Sequence, residues 1–561
     1  MNPDIPATPS PRPWLKSYPP GVAADIRVPE RTTLASLMEA ACRDYGPRTA
    51  YISMGTSLSY EALELQSRHF AAWLQSRGIR PGSRVALMMP NLLQYPVALF
   101  GVLRAGGVAV NCNPLYTPRE LEFQLRDSGA EAIVVLENFA HTLTQVRTLP
   151  GLKSIVVTSV GELLGGFKGF AVDFVLRHVK RAVPRWQLDA VRFSEALRLG
   201  AAAPFAPPGL GPQDLAFLQY TGGTTGRPKG AMLSHANIVA NLTQVDQWMS
   251  GVVEAGQELV VTALPLYHIF ALTANCLTFM HKGASNLLII NPRDIDAFVK
   301  ELERHPFTVM TGVNTLFNAL LHHPRFGRLD FSKLKVTLGG GMAVQREVAE
   351  RWQEVTGNTL VQAYGLTETS PGATINPLTQ KTFNGAIGLP LPSTEVEIRD
   401  ESGQAQAPGH SGELCIRGPQ VMVGYWNQPE ETRAVFYPDG FLRTGDVGML
   451  DEAGYVYLLD RKKDMIKVSG FNVYPNEIED VVSRHPGVRE VAAIGVPDTH
   501  SGEAIKLFVV RKDPALTGEA LIGYCRQEMT GYKVPRHVEF RDELPHTNVG
   551  KILRRALKEP A

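Results

Sequence analysis

Apolar residues recur along this chain in two alternating rhythms. Leu34, Leu37, Met38 and Ala41 lie three and four positions apart, which predicts a helix, with Thr32 and Thr33 placed to cap its start. Short runs of apolar and β-branched residues at 84–89, 132–136 and 154–160 predict strands. Helical stretches lie between these runs, and the alternation predicts βα units with mostly parallel strands. The loop APFAPPGLGP at 203–212 is expected to set apart a second βα-rich block over about 214–392. Strands predominate from about 394 to 460, where 447–450 and 455–459 flank residues 451–454 as a hairpin. The remainder predicts a separate small α+β unit: helix 475–483, strands 490–496 and 504–510, helix 519–529 and strand 537–541.

Composition narrows the class. The chain has 561 residues, is 44% hydrophobic, and sets 56 Lys and Arg against 55 Asp and Glu, a net charge of +1. Global disorder is excluded, and so is a basic field for gripping nucleic acid. Cys42, Cys112, Cys276, Cys415 and Cys525 are scattered, which argues against a disulfide framework or zinc site and fits a reducing cytoplasm. The first twenty residues hold seven prolines and no apolar run, so no signal peptide is expected. Apolar runs such as 96–103 stop well short of the roughly 20 residues of a membrane span. A soluble protein is expected, at most peripherally bound to membrane. In 166–186, Phe170, Phe174, Val175 and Val179 share a helical face, and Lys168, Arg177, Lys180, Arg181 and Arg185 outnumber the single acid Asp173. Such a helix can lie on an anionic membrane or pack on its own domain with its basic residues solvated. The packed helix is the expectation.

The most informative segment is YTGGTTGRPKG at 220–230. Gly222, Gly223 and Gly226 let backbone N–H groups turn inward as an anion nest, Thr221, Thr224 and Thr225 offer hydroxyls to phosphate oxygens, and Lys229 adds charge. The spacing is not Walker A, because Arg-Pro follows Gly226. This string resembles the adenylate-forming ligase superfamily, which includes acyl-CoA synthetases, luciferases and peptide-synthetase adenylation domains. Further motifs follow in that family's order, so the resemblance covers nearly the whole chain. GGGM at 339–342 would lay the bare backbone of Gly340 and Gly341 against a purine. In YGLTET at 364–369, the resemblance gives adenine the face of Tyr364 beside Gly365, phosphate the hydroxyl of Thr367, and Mg²⁺ the carboxylate of Glu368, with Thr221 as a second metal ligand. It assigns Asp446 to the ribose hydroxyls, Arg461 to the ribose or α-phosphate, and Lys463 to a hinge. Gly470 matches a loop that walls the pantetheine channel, and Lys551 falls on the catalytic lysine.

Within the superfamily, 86–101, 261–270 and 461–480 are similar to bacterial acyl-CoA synthetases acting on long-chain fatty acids. The resemblance implies an α/β fold: a large N-terminal domain, 1–460, of βα-rich subdomains plus a β-barrel-like subdomain, and a small mobile α+β domain, 461–561. It implies fatty acid, ATP and coenzyme A as substrates, Mg²⁺ as cofactor, and an acyl-adenylate intermediate. The expected location is the cytoplasm or the inner face of its membrane, with anionic lipid and a second copy in a homodimer as further partners. Tunnel walls are expected at 267–272, 313–316 and 339–342. There His268 either orients the carboxylate or is simply packed, and Leu272 stands where a relative pattern has an aromatic gate. Residues 370–373 depart from the pattern and leave chain length open. The alternatives are a ligase for medium-chain or aryl acids, and a fatty acid binding or uptake protein without chemistry. The phosphate loop, Glu368 and Lys551 count against the second.

Overall fold

The computed structural model describes residues 12–146, 151–221, 228–498, 500–547 and 550–558. The first helix, Leu34–Tyr45, starts at a reciprocal cap: the Thr33 hydroxyl accepts from the Ser36 N–H, and the Ser36 hydroxyl accepts from the Thr33 N–H. Strands Arg84–Met88, Ala132–Leu136 and Ser154–Thr158 form where the apolar runs place them and pair in parallel. Their side chains are apolar on both faces because both faces are covered.

Two large sheets carry the N-terminal portion. One has eight strands, with Val108–Asn111 and Leu215–Thr221 at its middle. The other has nine, including the parallel neighbours Val309–Gly312, Val336–Gly339 and Leu360–Gly365. The helix Gln94–Arg104 is buried along its whole length, and the Tyr95 hydroxyl lies 2.7 Å from Asn111 Oδ1 and 2.8 Å from the Leu266 carbonyl, tying the two layers together. The loop at 203–212 is therefore no boundary. Leu215–Thr221 after it pairs with Val108–Asn111 before it, and Thr49–Ser53 pairs with Ser285–Leu288 of the other sheet. Proline and glycine mark the turn, but strand partnership is long-range and leaves no local signal.

The strand-rich block forms an antiparallel sheet of Glu395–Arg399, Ser411–Arg417, Leu442–Leu450 and Val456–Arg461, in that order. Among the described residues no ladder joins its first strand to its last, so the barrel-like unit is an open sheet. The predicted hairpin sets Asp446 opposite Arg461. Beyond it, the small α+β unit has helix Pro475–Ser483, with proline in its first turn, long strands Val488–Asp498 and Gly502–Arg511, helix Gly518–Glu528, and strand His537–Phe540. A short hairpin, Ile466–Val468 with Phe471–Val473, completes its sheet. No helix among the described residues is long and apolar enough to cross a membrane.

The segment at 166–179 is helical, Gly166–Phe174 running on into a wider turn at Val175–Val179. The expected packing holds for one face only. Gly169 is buried, and Val172 and Leu176 pack against the core. Phe167, Phe170, Phe174 and Val179 face solvent. Too many positions of this helix are apolar for one buried face to absorb them.

Candidate active site

A cavity of about 1130 Å³ lies at the carboxyl ends of the parallel strands Val309–Gly312, Val336–Gly339 and Leu360–Gly365, where open α/β sheets place their ligands. It is larger than the usual 300–1,000 Å³ of a small-molecule pocket, roughly enough for two ligands end to end. Its wall is polar at one end and apolar at the other.

At the polar end Tyr364, the penultimate residue of its strand, donates its hydroxyl to Asp446 Oδ2 at 2.7 Å. Arg461 Nε lies 3.4 Å from the other oxygen, held there by the hairpin register. Burial raises the Asp446 carboxyl above the ordinary range, against the pull of Arg461, and lifts the Tyr364 phenol well above its own. An aromatic ring, a carboxylate with free lone pairs and a guanidinium thus face one space, a set suited to a nucleoside and its phosphate. Gly340 and Gly341 form the floor. A Cβ at Gly340 would sit 3.0 Å from the Ala363 carbonyl, and Gly341 has φ +77°. Gly365 also borders the cavity, but its bareness serves the fold, since a Cβ there would run into the Pro371 carbonyl.

Lys551 reaches this floor from the C-terminal tail. The place a Cβ would take on Gly341 is 3.4 Å from its Cε and 3.8 Å from its Nζ. Two anchors hold the tail. The Thr315 hydroxyl donates to the Gly550 carbonyl at 2.9 Å, and Arg554 pairs with Glu479 at 2.7 Å beside the buried Asp460. Burial, with Arg461 nearby, pushes the Lys551 ammonium down to about 8, Asp446 pulling the other way. His268 lines the same space. Its Nδ1 accepts from the Phe270 N–H at 3.3 Å, and burial together with the Lys551 charge pushes it down to about 3, so the ring is neutral.

Thr221 and Lys229 are cross-strand partners at the cavity edge. Gly222, Gly223, Thr224, Thr225 and Gly226 lie outside the described residues. Lys229 pairs with Glu431 and sits over the Tyr425 ring, and Tyr425 donates to Glu368 Oε1 at 2.7 Å. Thr367, next to Glu368, borders the cavity as well. Arg461 and Lys463 border it where the small unit begins. Gly470 does not: it forms the exposed two-residue turn Ser469-Gly470 between paired Val468 and Phe471.

The apolar end runs between the sheet and helix His235–Trp248. On the strands Val309 and Thr311, and Val336, Leu338 and Gly340, point into it at alternate positions. Val245, Trp248 and Met249 face them from the helix and the residue after it, and Phe279 and Val253 close the far end. Four residues of strand make this limb roughly 13 Å long. Two of its polar side chains are occupied, Thr311 donating to Asn275 Oδ1 at 2.8 Å and Asn241 exchanging hydrogen bonds with Gly372. Of the expected walls at 267–272, 313–316 and 339–342, residues 267–270, Asn314, Thr315 and 340–342 border the cavity, while Leu272, Val313, Leu316 and Gly339 do not, Leu272 being wholly buried in the core. The tunnel floor, Tyr425 and the anchors Thr315 and Arg554 carry no motif of their own. The one hint was a helix bearing Asn241 and Gln244 on its buried side.

A model of the AMP-binding enzyme family matches residues 38–426, and one of the AMP-binding enzyme C-terminal domain matches residues 477–551. The chain is similar to a long-chain-fatty-acid–CoA ligase of Escherichia coli O157:H7, 56% identical over 98% of each chain. It is also similar to one of Haemophilus influenzae, 51% identical over 97% of this chain and 98% of the other. Among solved structures it is similar to an anthranilate CoA ligase in complex with anthranoyl-AMP, with a TM-score of 0.84 and 26% identity, covering 95% of this chain and 97% of that one.

Proposed function

The chain belongs to the AMP-binding enzyme family, and from that premise we propose how its cavity performs the family's chemistry. The activity is the ATP-dependent joining of a long-chain fatty acid to coenzyme A through an acyl-adenylate. The fatty acid carboxylate attacks the α-phosphate of ATP, giving acyl-AMP and pyrophosphate. The thiolate of coenzyme A then attacks the activated carbonyl, and AMP leaves in place of a far poorer oxygen leaving group.

The observation that carries our assignment of residues is the position of Lys551, at the junction of the nucleotide end and the tunnel mouth. Carboxylate and phosphate repel as they approach, and an ammonium held between them in a water-poor site offsets that repulsion where it is greatest. Tyr364 supports adenine, Asp446 and Arg461 hold the ribose and α-phosphate, and the segment at 221–229 takes the outer phosphates. The neutral His268 at the mouth leaves the entering carboxylate to Lys551. Glu368 and Thr221 fit a magnesium ion arriving on the triphosphate, since such ions take one or two protein oxygens and complete their shell with phosphate and water. Among the described residues the second Glu368 oxygen has no hydrogen bond, and no denser cluster of metal ligands is present. Magnesium would neutralise phosphate charge there.

We place the domain boundary at 460/461. Rotation about Lys463 would withdraw Lys551 and bring the Gly470 turn to the cavity for the thioester step. We place the enzyme in the cytoplasm, drawing its acid from the inner face of the membrane, where a long acyl chain partitions.

Pyrophosphate release measured over acids of increasing chain length, with benzoic acid included, tests the assignment of the tunnel. Turnover should favour the long acids. A preference for the aryl acid would transfer the site to the alternative ligase, and tight oleate binding without AMP formation would reduce the chain to a carrier. The pH profile tests the lysine. Its ammonium is the working form, so kcat/KM for adenylation, which reports the free enzyme, should fall about tenfold per pH unit above pH 8. With ATP saturating, the triphosphate charge favours the ammonium and the fall in kcat should move to higher pH. Superimposable profiles would contradict this placement of Lys551.

A further inference from the structure

We infer that the helix at 166–179, with the basic residues after it, is a docking surface for an anionic phospholipid bilayer. Phe167, Phe170 and Phe174 stand 84%, 67% and 49% exposed on one face, and Val179 is 66% exposed at the end of the next turn. Positions i, i+3 and i+7 place the three rings side by side, and those of Phe170 and Phe174 stack with centroids 6.2 Å apart. Met54, also exposed, lies beside the same helix, since the Lys168 ammonium donates to its carbonyl. Large aromatic side chains grouped on an exposed helix mark a contact surface, whereas single exposed apolar residues mark nothing.

The helix is built into the body rather than loosely attached. Gly169 packs so closely on Gly161 that a Cβ there would lie 2.3 Å from the Gly161 carbonyl oxygen. Asp173 accepts from the Ser159 hydroxyl at 2.6 Å and the Gly161 N–H at 2.8 Å, and Arg177 makes paired 2.9 Å bonds to the buried Glu137. The acids of this region are thus turned inward. Lys180, Arg181 and Arg185 are exposed at the end of the aromatic face, with no ion pair to any described residue. Rings held rigidly outward beside three uncommitted cations match the acyl boundary and charged headgroups of an anionic leaflet. Protein partners also bury exposed rings, and what favours a bilayer here is the three uncommitted cations beside the rings together with a substrate that partitions into lipid.

This inference rests on the long-chain reading, because an acid that partitions into lipid gives the enzyme a reason to sit there. Co-sedimentation of the full chain with phosphatidylcholine vesicles, and with vesicles of phosphatidylcholine and phosphatidylglycerol in equal parts, tests it. The unmodified chain should bind the anionic vesicles and largely ignore the neutral ones. Two triple variants, Phe167→Ser/Phe170→Ser/Phe174→Ser and Lys180→Gln/Arg181→Gln/Arg185→Gln, should each weaken that binding on the order of tenfold or more. Acyl-CoA formation from a short, water-soluble acid should be unchanged in both, which shows that they fold. Anionic-vesicle binding that survives either triple variant overturns the inference. So does self-association of the unmodified chain, without vesicle binding, that the phenylalanine variant abolishes, for then a second copy covers the face. A chain that binds vesicles through these residues yet makes no acyl-CoA would overturn the activity and leave the docking surface standing.

Discussion

Alanine in place of Lys551 is expected to lower acyl-adenylate formation about a thousandfold, while thioester formation from supplied acyl-AMP and coenzyme A is largely spared. Losing one preorganised donor to a developing charge costs on the order of a hundredfold to a thousandfold, and two features put this residue at the upper limit. It carries a full charge, and it lies in a recess where water screens little. In the second half reaction the thiolate attacks an uncharged carbonyl carbon and not the phosphate, so an ammonium between carboxylate and phosphate is no longer needed there. Stability should separate a catalytic from a structural role. Burial lowers the Lys551 pKa, so below pH 8 the charged lysine works against the folded state. The alanine variant should therefore melt at the same temperature or slightly higher at neutral pH, with the tail still held through Thr315 and Arg554. Equal loss in both half reactions, or a markedly lower Tm, would make Lys551 a structural residue. The measurements are pyrophosphate release, thioester formation from synthetic acyl-AMP, and thermal unfolding.

How far the site could be read in advance depended on how each residue acts. Tyr364, Asp446, Arg461 and Lys551 were found through short motifs that the resemblance supplies in order, although they are far apart along the chain. The structure brings them to one cavity. Gly470 was picked out only by its resemblance to a channel loop, and its exposed position in a two-residue turn carries no trace of the role assigned to it. The apolar limb of the cavity was mostly hidden. Val309, Val336, Trp248 and Met249 look like any other core residues, because whether an apolar side chain meets a neighbour or an empty channel is decided by partners distant in sequence. Leu272, beside the motif at 267–270, turned the other way into solid core for the same reason. The strands themselves were legible to within two residues where both faces are buried. Their interleaving across the loop at 203–212 was not. At 166–179 the apolar pattern was correct and burial followed from it on one face only, since apolar character records a preference for leaving water and not what provides the shelter.

The tunnel yields the second large effect. Val336 begins its strand at the far end of the channel, across from Met249 and next to Val309, two positions below Leu338 on the same face. Val336 packs with Met249, Val253 and Phe279 but also borders the channel, so tryptophan there should turn into the open channel and shorten it, with some repacking of those neighbours. If the indole displaces about four methylenes of a bound chain, at about 0.8 kcal/mol each, roughly 3 kcal/mol of binding is lost, or about two-hundredfold in kcat/KM for a long acid. An acid short enough to end before Leu338 meets the same mouth, the same His268 and the same Lys551, so its kcat/KM should remain near the original value. The variant Val336→Trp thus predicts a change in the order of preference, not a general decline. The comparison is kcat/KM over saturated acids of stepped length for the variant and the unmodified enzyme. A uniform loss at every length would mean that the substitution damaged the fold, and undiminished turnover of the longest acid would mean that the acyl chain runs elsewhere. Either result would detach the apolar limb from the substrate while leaving the assignment of Lys551 intact, because the channel and the lysine rest on different contacts.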